Sequence, residues 1–325
     1  MAGQKKSDLQ PTSYKLTLPC LDDFLLNMQT NNYSAETIYN YECDLKTFLN
    51  FLQEVEASFE KIDKKTILNY KAYLASHDRK TAGGNDTEKH LSSYTTNRML
   101  SALRSYFKYL IEMDYDCPVA PDMIKLAKTD KKHLRLAEFE DIVKLIEFPN
   151  QFEQNEIVAS RNRAMLETLF STGMRISELL NLKIAQIDKT GRIFIKGKGR
   201  KERFVYLTKR SQKYLNDYLT KREIGGEYLF LPLRGKNSAK KNKKVSTNYL
   251  QERIKHYREL LGINTPISAH SLRHAFATLL AEQGANPAAI QILLGHESLQ
   301  TTTRYVNVSD RYAEDAHKKF HPLSA

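Results

Sequence analysis

A chain of 325 residues exceeds the usual size of one domain, so two are expected, each long enough to bury its own core. Its net charge of +12, from 50 Lys and Arg against 38 Asp and Glu, favours a polyanionic partner, nucleic acid first, although a merely basic soluble protein fits charge alone equally well. Three cysteines, Cys20, Cys43 and Cys117, form no C-x-x-C pair and leave an odd count, which argues against a disulfide scaffold and a zinc site and for a reducing, cytosolic setting.

The first residues are polar with no apolar stretch, and no later run approaches the roughly 20 apolar residues of a membrane span, so a soluble, unexported protein is expected. Residues 1–18 read as a polar tail. Apolar residues at helical spacing follow over about 20–30, 34–54, 63–77 and 92–113, as in Tyr41, Leu45, Phe48, Leu49 and Leu52. Ser34 before Thr37 and Ile38 is a plausible N-cap, and Ala82-Gly83-Gly84-Asn85-Asp86 marks a loop between the third and fourth helices. A helical domain over 19–117 is expected. The prolines of 118–121 and the basic run Lys125 to Arg135 read as a linker over 118–135, which leaves 136–325 as a second domain.

In that second part helices are expected at 138–147, 156–171 and 175–182. Short Ile, Val and Phe-rich runs between Lys183 and Leu207 then predict a small antiparallel sheet, turning at Lys189-Thr190-Gly191 and at Gly197-Lys198-Gly199-Arg200. More helices follow. The one biased stretch, Arg234 to Lys244, holds six basic residues and no acid, and is expected to be a mobile loop.

Three segments carry chemistry-bearing residues. In TGMRISELL (172–180) Gly173 can end one helix in the left-handed region and Arg175 open the next, near the positive end of its dipole. A surface arginine paired with Glu178 at i+3 explains the same residues. HSLRH (270–274) places His270 and Arg273 on one helix face, whereas His274, followed by Ala275-Phe276-Ala277, reads as a packed histidine. In LLGHESLQTTTRY (293–305) a helix starts at Asn286-Pro287 and ends at Gly295, His296 emerges at the turn, and Tyr305 lies late in the next segment. Among 18 tyrosines, one tyrosine is by default a packing residue, and a phenol pKa near 10 makes it a weak nucleophile.

Arg175, Lys198, His270-x-x-Arg273, His296 and Tyr305, carried in TGMRISEL, GKGRKER, HSLRHAFAT, LLGH and TTTRY, resemble in order and spacing the tyrosine recombinase, or phage integrase, family over residues 136–320. Among its subgroups the compact length and the Lys319-Phe320-His321-Pro322 ending look most like the Xer type, and the short tail before Leu18 leaves no room for the arm-binding domain of larger phage integrases. The resemblance implies a mainly α protein: an N-terminal four-helix core-binding domain and a mixed α+β catalytic domain with a small antiparallel sheet, together forming a DNA clamp.

The activity implied is site-specific cleavage and rejoining of duplex DNA through a 3′-phosphotyrosine on Tyr305. Arg175, Arg273 and His296 would stabilise charge on the phosphate, His270 would act as general base, and Lys198 as general acid, with Lys196 and Lys201 competing for that last role. No cofactor, metal or ATP is required. Phosphate contacts are expected from Lys196, Arg200, Lys201, Lys240 and Lys241, and from the 196–203 hairpin generally. Arg98 and Arg104 on the 92–108 helix, with Ser93, Thr95 and Asn97, are candidates for reading bases, although a solvated helix face accounts for them as well. The expected partners are double-stranded DNA and three further copies in a homotetramer on two sites, with a related second recombinase left open and no membrane; the amphipathic 311–320 segment would dock on a neighbour. The location expected is cytoplasmic, at the nucleoid. Two alternatives stand beside this: DNA relaxation of the type IB topoisomerase kind, and a DNA-binding accessory protein with a vestigial site.

Overall fold

The computed structural model describes residues 17–76, 79–85, 91–129, 137–196, 202–222, 225–234, 238 and 243–295, and the chain forms two compact units, Met1–Lys132 and His133–Ala325.

In the first unit the expected helices are all present: α1 (Leu21–Thr30), α2 (Ala35–Glu54), α3 (Lys64–Ala75) and α4 (Ser93–Glu112). Their starts are written in the sequence. The side chains of Ser34, Asp63 and Ser92 accept the amides of Thr37, Thr66 and Thr95, each satisfying an N–H that the helix cannot, at about 1 kcal/mol apiece. The core is aromatic: Phe48, Phe51, Tyr70, Tyr106 and Phe107 are buried, with Phe48 edge-on to Tyr70 at 4.8 Å between ring centroids.

Two expectations shift here. The stretch read as a linker from residue 118 begins inside this unit, because Val119 and Ile124 are buried in its core. Two residues of the candidate base-reading helix hold it there. Asn97 donates to the Ala127 carbonyl (2.9 Å) and accepts the Ala127 amide (2.7 Å), and Arg104 Nη2 donates to the Ile124 carbonyl. Asn97 and, through Nη2, Arg104 therefore tie α4 to the segment that follows it, a role in the fold that their place on the helix face did not show. Arg98 differs: its side chain is 47% exposed, with Nη1 on the buried Asp44 carboxylate at 2.5 Å.

Burial pushes the Asp44 carboxyl up to about 6, although Arg98 pulls it down. A carboxyl that holds its proton more tightly folded than unfolded contributes more stability below pH 6 and loses it as pH rises through that value. Asp44→Asn should therefore flatten the rise in melting temperature between pH 8 and pH 5; an unchanged slope in thermal unfolding of the full chain would contradict this assignment.

In the second unit α5 (Phe139–Glu147), α7 (Glu156–Thr172) and α8 (Ile176–Leu180) match expectation, and the short α6 (Pro149–Phe152), opened by Pro149, was not foreseen. Strands β1 (Arg192–Lys196) and β2 (Glu202–Tyr206) pair antiparallel in the register Ile193 with Val205 and Ile195 with Arg203. The first turn is organised by Asp188 as well as by glycine. Its Oδ1 accepts the amides of Thr190 (2.8 Å) and Arg192 (3.0 Å), and Gly191 takes φ 82°. The second turn, 197–200, lies outside the described residues. Helices α9 (Lys209–Lys221), α10 (Thr247–Leu260), α11 (Ala269–Glu282) and α12 (Pro287–Leu294) complete the unit.

Helix α7 is the axis of this unit, packed by α6, α9 and α11. It is wrapped so fully that its polar residues need buried partners. Arg161 donates to the Leu231 carbonyl (2.8 Å) and to Tyr249 Oη (2.6 Å), Asn162 donates to Tyr257 Oη (2.7 Å), and Arg163 pairs with Glu167 (2.9 Å). Among the described residues no helix is long and apolar enough to cross a membrane.

Candidate active site

Gly173 ends α7 at φ 61°, ψ 17°, the left-handed cap expected of it. A second constraint was not visible in the sequence: a Cβ built on Gly173 would lie 2.3 Å from the Phe276 ring of α11. Gly173→Ala should therefore cost about 2–4 kcal/mol, from the left-handed backbone together with overpacking, and slow any reaction that uses Arg175. Chemical denaturation checks the first effect; wild-type stability would show that the ring moves aside freely.

Two residues later Arg175 is the N-cap of α8. The Glu178 carboxylate accepts the Arg175 amide (2.7 Å) and its Nη1 (3.1 Å), so one acid fixes both the turn and the side chain. The i+3 ion pair with Glu178 is present, and the guanidinium it holds stays 40% exposed.

Arg273, on α11, is buried at 4% exposure. Its Nη1 donates to the Gly173 carbonyl (2.8 Å) and its Nη2 to the Leu294 carbonyl (2.7 Å). One side chain thus ties the Arg175 turn to the end of α12, which stops at Gly295 (φ 65°), immediately before His296 in sequence. Asn286 caps the start of that helix through Ala288, as expected.

His270 lies in the first turn of α11, capped by Ser268, and is exposed. Burial of part of the ring, and then the positive charges of Arg273 and Arg175, hold its pKa below the ordinary histidine value. That both arginines act on it places the imidazole in their field. His274 shares a hydrogen bond with it (Nε2 to Nε2, 2.8 Å), with the rings edge-on at 4.3 Å. The expectation of a structural His274 thus takes a specific form: it sets the orientation of His270, with the donor decided by the tautomers.

Arg203 corrects the sequence reading. Expected on the DNA-facing hairpin, it is buried instead. Its Nη1 and Nη2 donate to both Glu178 oxygens (2.9 and 2.7 Å) and its Nε to the Leu293 carbonyl (2.9 Å). Strand parity was the available signal: in β2 residues 203 and 205 share the inward face, while Phe204 faces out under the Arg192 guanidinium at 3.5 Å. Burial would raise the Glu178 carboxyl, but the hydrogen bonds from Arg203 and the Arg175 amide, with both arginine charges, hold it below the usual range.

Lys196 is exposed, 3.9 Å from Glu202. Lys244, at the end of the basic stretch, folds back to donate to Asn181 Oδ1 and lies over the Tyr228 ring at 5.5 Å. Most of the expected mobile loop (235–237 and 239–242), and Lys198, Arg200, Lys201, Lys240, Lys241, His296 and Tyr305, fall outside the described residues. A cavity of about 880 Å³ opens elsewhere in the unit, lined by Phe152, Val158, Arg161, Tyr249 and Arg253 among others, and includes no member of the arginine–histidine cluster. Within the cluster Arg175 and His270 are exposed, whereas Arg273 is buried.

Residues 135–311 match the model described as "Phage integrase family", and residues 21–113 that of "Phage integrase, N-terminal SAM-like domain". The chain is 35% identical over 299 residues to the tyrosine recombinase XerC of Leptospira interrogans serovar copenhageni, covering 90% of this chain and 89% of that one. It is 32% identical over 314 residues to the tyrosine recombinase XerD of Pseudomonas putida, covering 94% and 97%. In fold it is similar to XerH site-specific recombinase bound to a difH substrate, at a TM-score of 0.67 and 23% identity over 94% of this chain and 90% of that one. The family model spans the cluster of Arg175, His270 and Arg273, and the Xer relatives align along nearly the whole length: this chain belongs to the phage integrase family of tyrosine recombinases.

Proposed function

We propose that this chain is a site-specific recombinase that cleaves one strand of duplex DNA per protomer through a 3′-phosphotyrosine on Tyr305 and rejoins it to a new partner. The observation that carries this reading is the anchoring of Arg175, His270 and Arg273 in one frame, in which Arg273 clasps the Gly173 carbonyl and both arginine charges act on the His270 ring.

Charge in phosphodiester exchange gathers on the nonbridging oxygens, so preorganised donors facing them do most of the catalysis. Arg175, Arg273 and His296 fill that role. The Tyr305 hydroxyl attacks phosphorus and gives its proton to His270, whose lowered pKa keeps the imidazole neutral and able to accept. The bond to the 5′ oxygen breaks as Lys198 donates a proton to it. The phosphotyrosine ester retains the energy of the broken linkage, so a different 5′ hydroxyl can displace the tyrosine without ATP.

Four protomers on two sites supply the four cuts of an exchange, with a related recombinase able to furnish two of them. Both the helical unit and the catalytic unit would contact the duplex. Lys196, Arg200, Lys201, Lys240 and Lys241 would grip phosphates, and Arg98, whose side chain is 47% exposed, would face the duplex, with Arg104 beside it on α4. The working location is the cytoplasm, at the nucleoid.

Incubation with sheared DNA in the absence of divalent metal and ATP, followed by denaturing capture and sequencing, tests this directly. Enrichment of one site, and strand exchange between two plasmids carrying it, is the expected result. Relaxation of any plasmid without recombinants would instead indicate topoisomerase-like action, and failure to capture any DNA would contradict enzymatic cleavage.

A further inference from the structure

We propose that Arg203 is a positioning residue for DNA cleavage, locking the Arg175 turn and the end of α12 into one rigid frame. The inference rests on the recombinase reading above and assigns a role to a side chain outside the six residues of its catalytic set.

The geometry is that of a clasp. Arg203 sits on β2 and is buried at 8% exposure. Its planar fork covers both oxygens of Glu178, and the same Glu178 takes the amide and Nη1 of Arg175. A carboxylate has room for about four donors, and here both arginines share it, so any slip of Arg203 frees Glu178 to draw Arg175 away from a phosphate. The third N–H of Arg203, on Nε, holds the Leu293 carbonyl, next to the Leu294 carbonyl that Arg273 holds. Gly295 completes the fit: a Cβ there would lie 3.1 Å from Arg203 Cδ and Nη1, so the helix ends against this side chain. Arg203 thereby joins its own strand β2, the Arg175 turn and the end of α12. Lysine cannot replace it, because one ammonium cannot span two carboxylate oxygens and a carbonyl in a fixed plane.

Arg203→Lys keeps the charge, and Arg203→Gln keeps a neutral donor for the buried Glu178 carboxylate, which stays in place to hold Arg175, should the lysine variant fail to fold. Cleavage is read as covalent capture on a nicked duplex at saturating enzyme, with binding read separately by gel shift. The folded variant should bind within about 3-fold of wild type yet cleave about 30–100-fold more slowly, the size of effect expected from misplacing reacting groups by an ångström. On a scissile methylphosphonate, which has no nonbridging charge for Arg175 to neutralise, most of that defect should disappear. A wild-type rate on phosphate, or an equal defect on both linkages, would overturn the positioning role. No capture by the wild-type protein would overturn the recombinase reading instead.

Discussion

Replacing Tyr305 with phenylalanine is expected to abolish covalent capture of DNA, a loss of at least about four orders of magnitude, while gel-shift affinity stays within about two-fold of wild type. The substitution removes one oxygen and leaves the ring, so packing and the basic surface that grips phosphates are unaltered. Without that oxygen no ester can form on this side chain. Residual capture at the wild-type rate would mean that another of the 18 tyrosines supplies the nucleophile.

The second large effect concerns charge that is kept but wrongly shaped. Arg175→Lys should lower the cleavage rate by about 10²–10³-fold, the cost of losing one preorganised donor set, with little change in binding. Arg175 commits Nη1 to Glu178, and a guanidinium can do this while still presenting a two-donor edge to phosphate oxygens. A lysine ammonium is one point charge, and beside Glu178 it would be held there. Binding survives because affinity for duplex DNA is spread over many phosphate contacts. Measurement of both constants on the same nicked substrate separates the two, and full activity in the lysine variant would remove the bidentate argument.

Much of this was legible in the residues. Helix starts at Ser34 and Asn286, and helix ends at Gly173 and Gly295, follow from local chemistry that a chain carries with it: hydroxyl and amide oxygens that accept orphan amides, and a residue without Cβ where φ must be positive. The tie between Gly173 and Arg273, 100 residues apart, could not be read that way. Nor could the burial of Arg161 and Asn162, whose partners come from Leu231, Tyr249 and Tyr257; their helix spacing is the same whether solvent or another helix surrounds them.

Arg203 was misread for a different reason. In a run of basic residues charge dominates the reading, yet alternation along β2 puts residue 203 on the face of Val205, where a cation has to find a buried acid. Asn97 and Arg104 teach the same lesson on α4. Polar residues on one helix face look like a groove-reading surface until the backbone at Ile124 and Ala127 is seen to accept from them.

Mass spectrometry of tryptic peptides from DNA-trapped protein is the most direct test of the covalent chemistry. Cleavage after Arg304 and Arg311 isolates a peptide whose one tyrosine is Tyr305, and sends the neighbouring Tyr312 into the next. A nucleotide adduct on the 305–311 peptide, or on the longer one reaching back to His274 if the bulky group blocks Arg304, is the expected result. An adduct on the peptide that begins at Tyr312, or on any other residue, would contradict it.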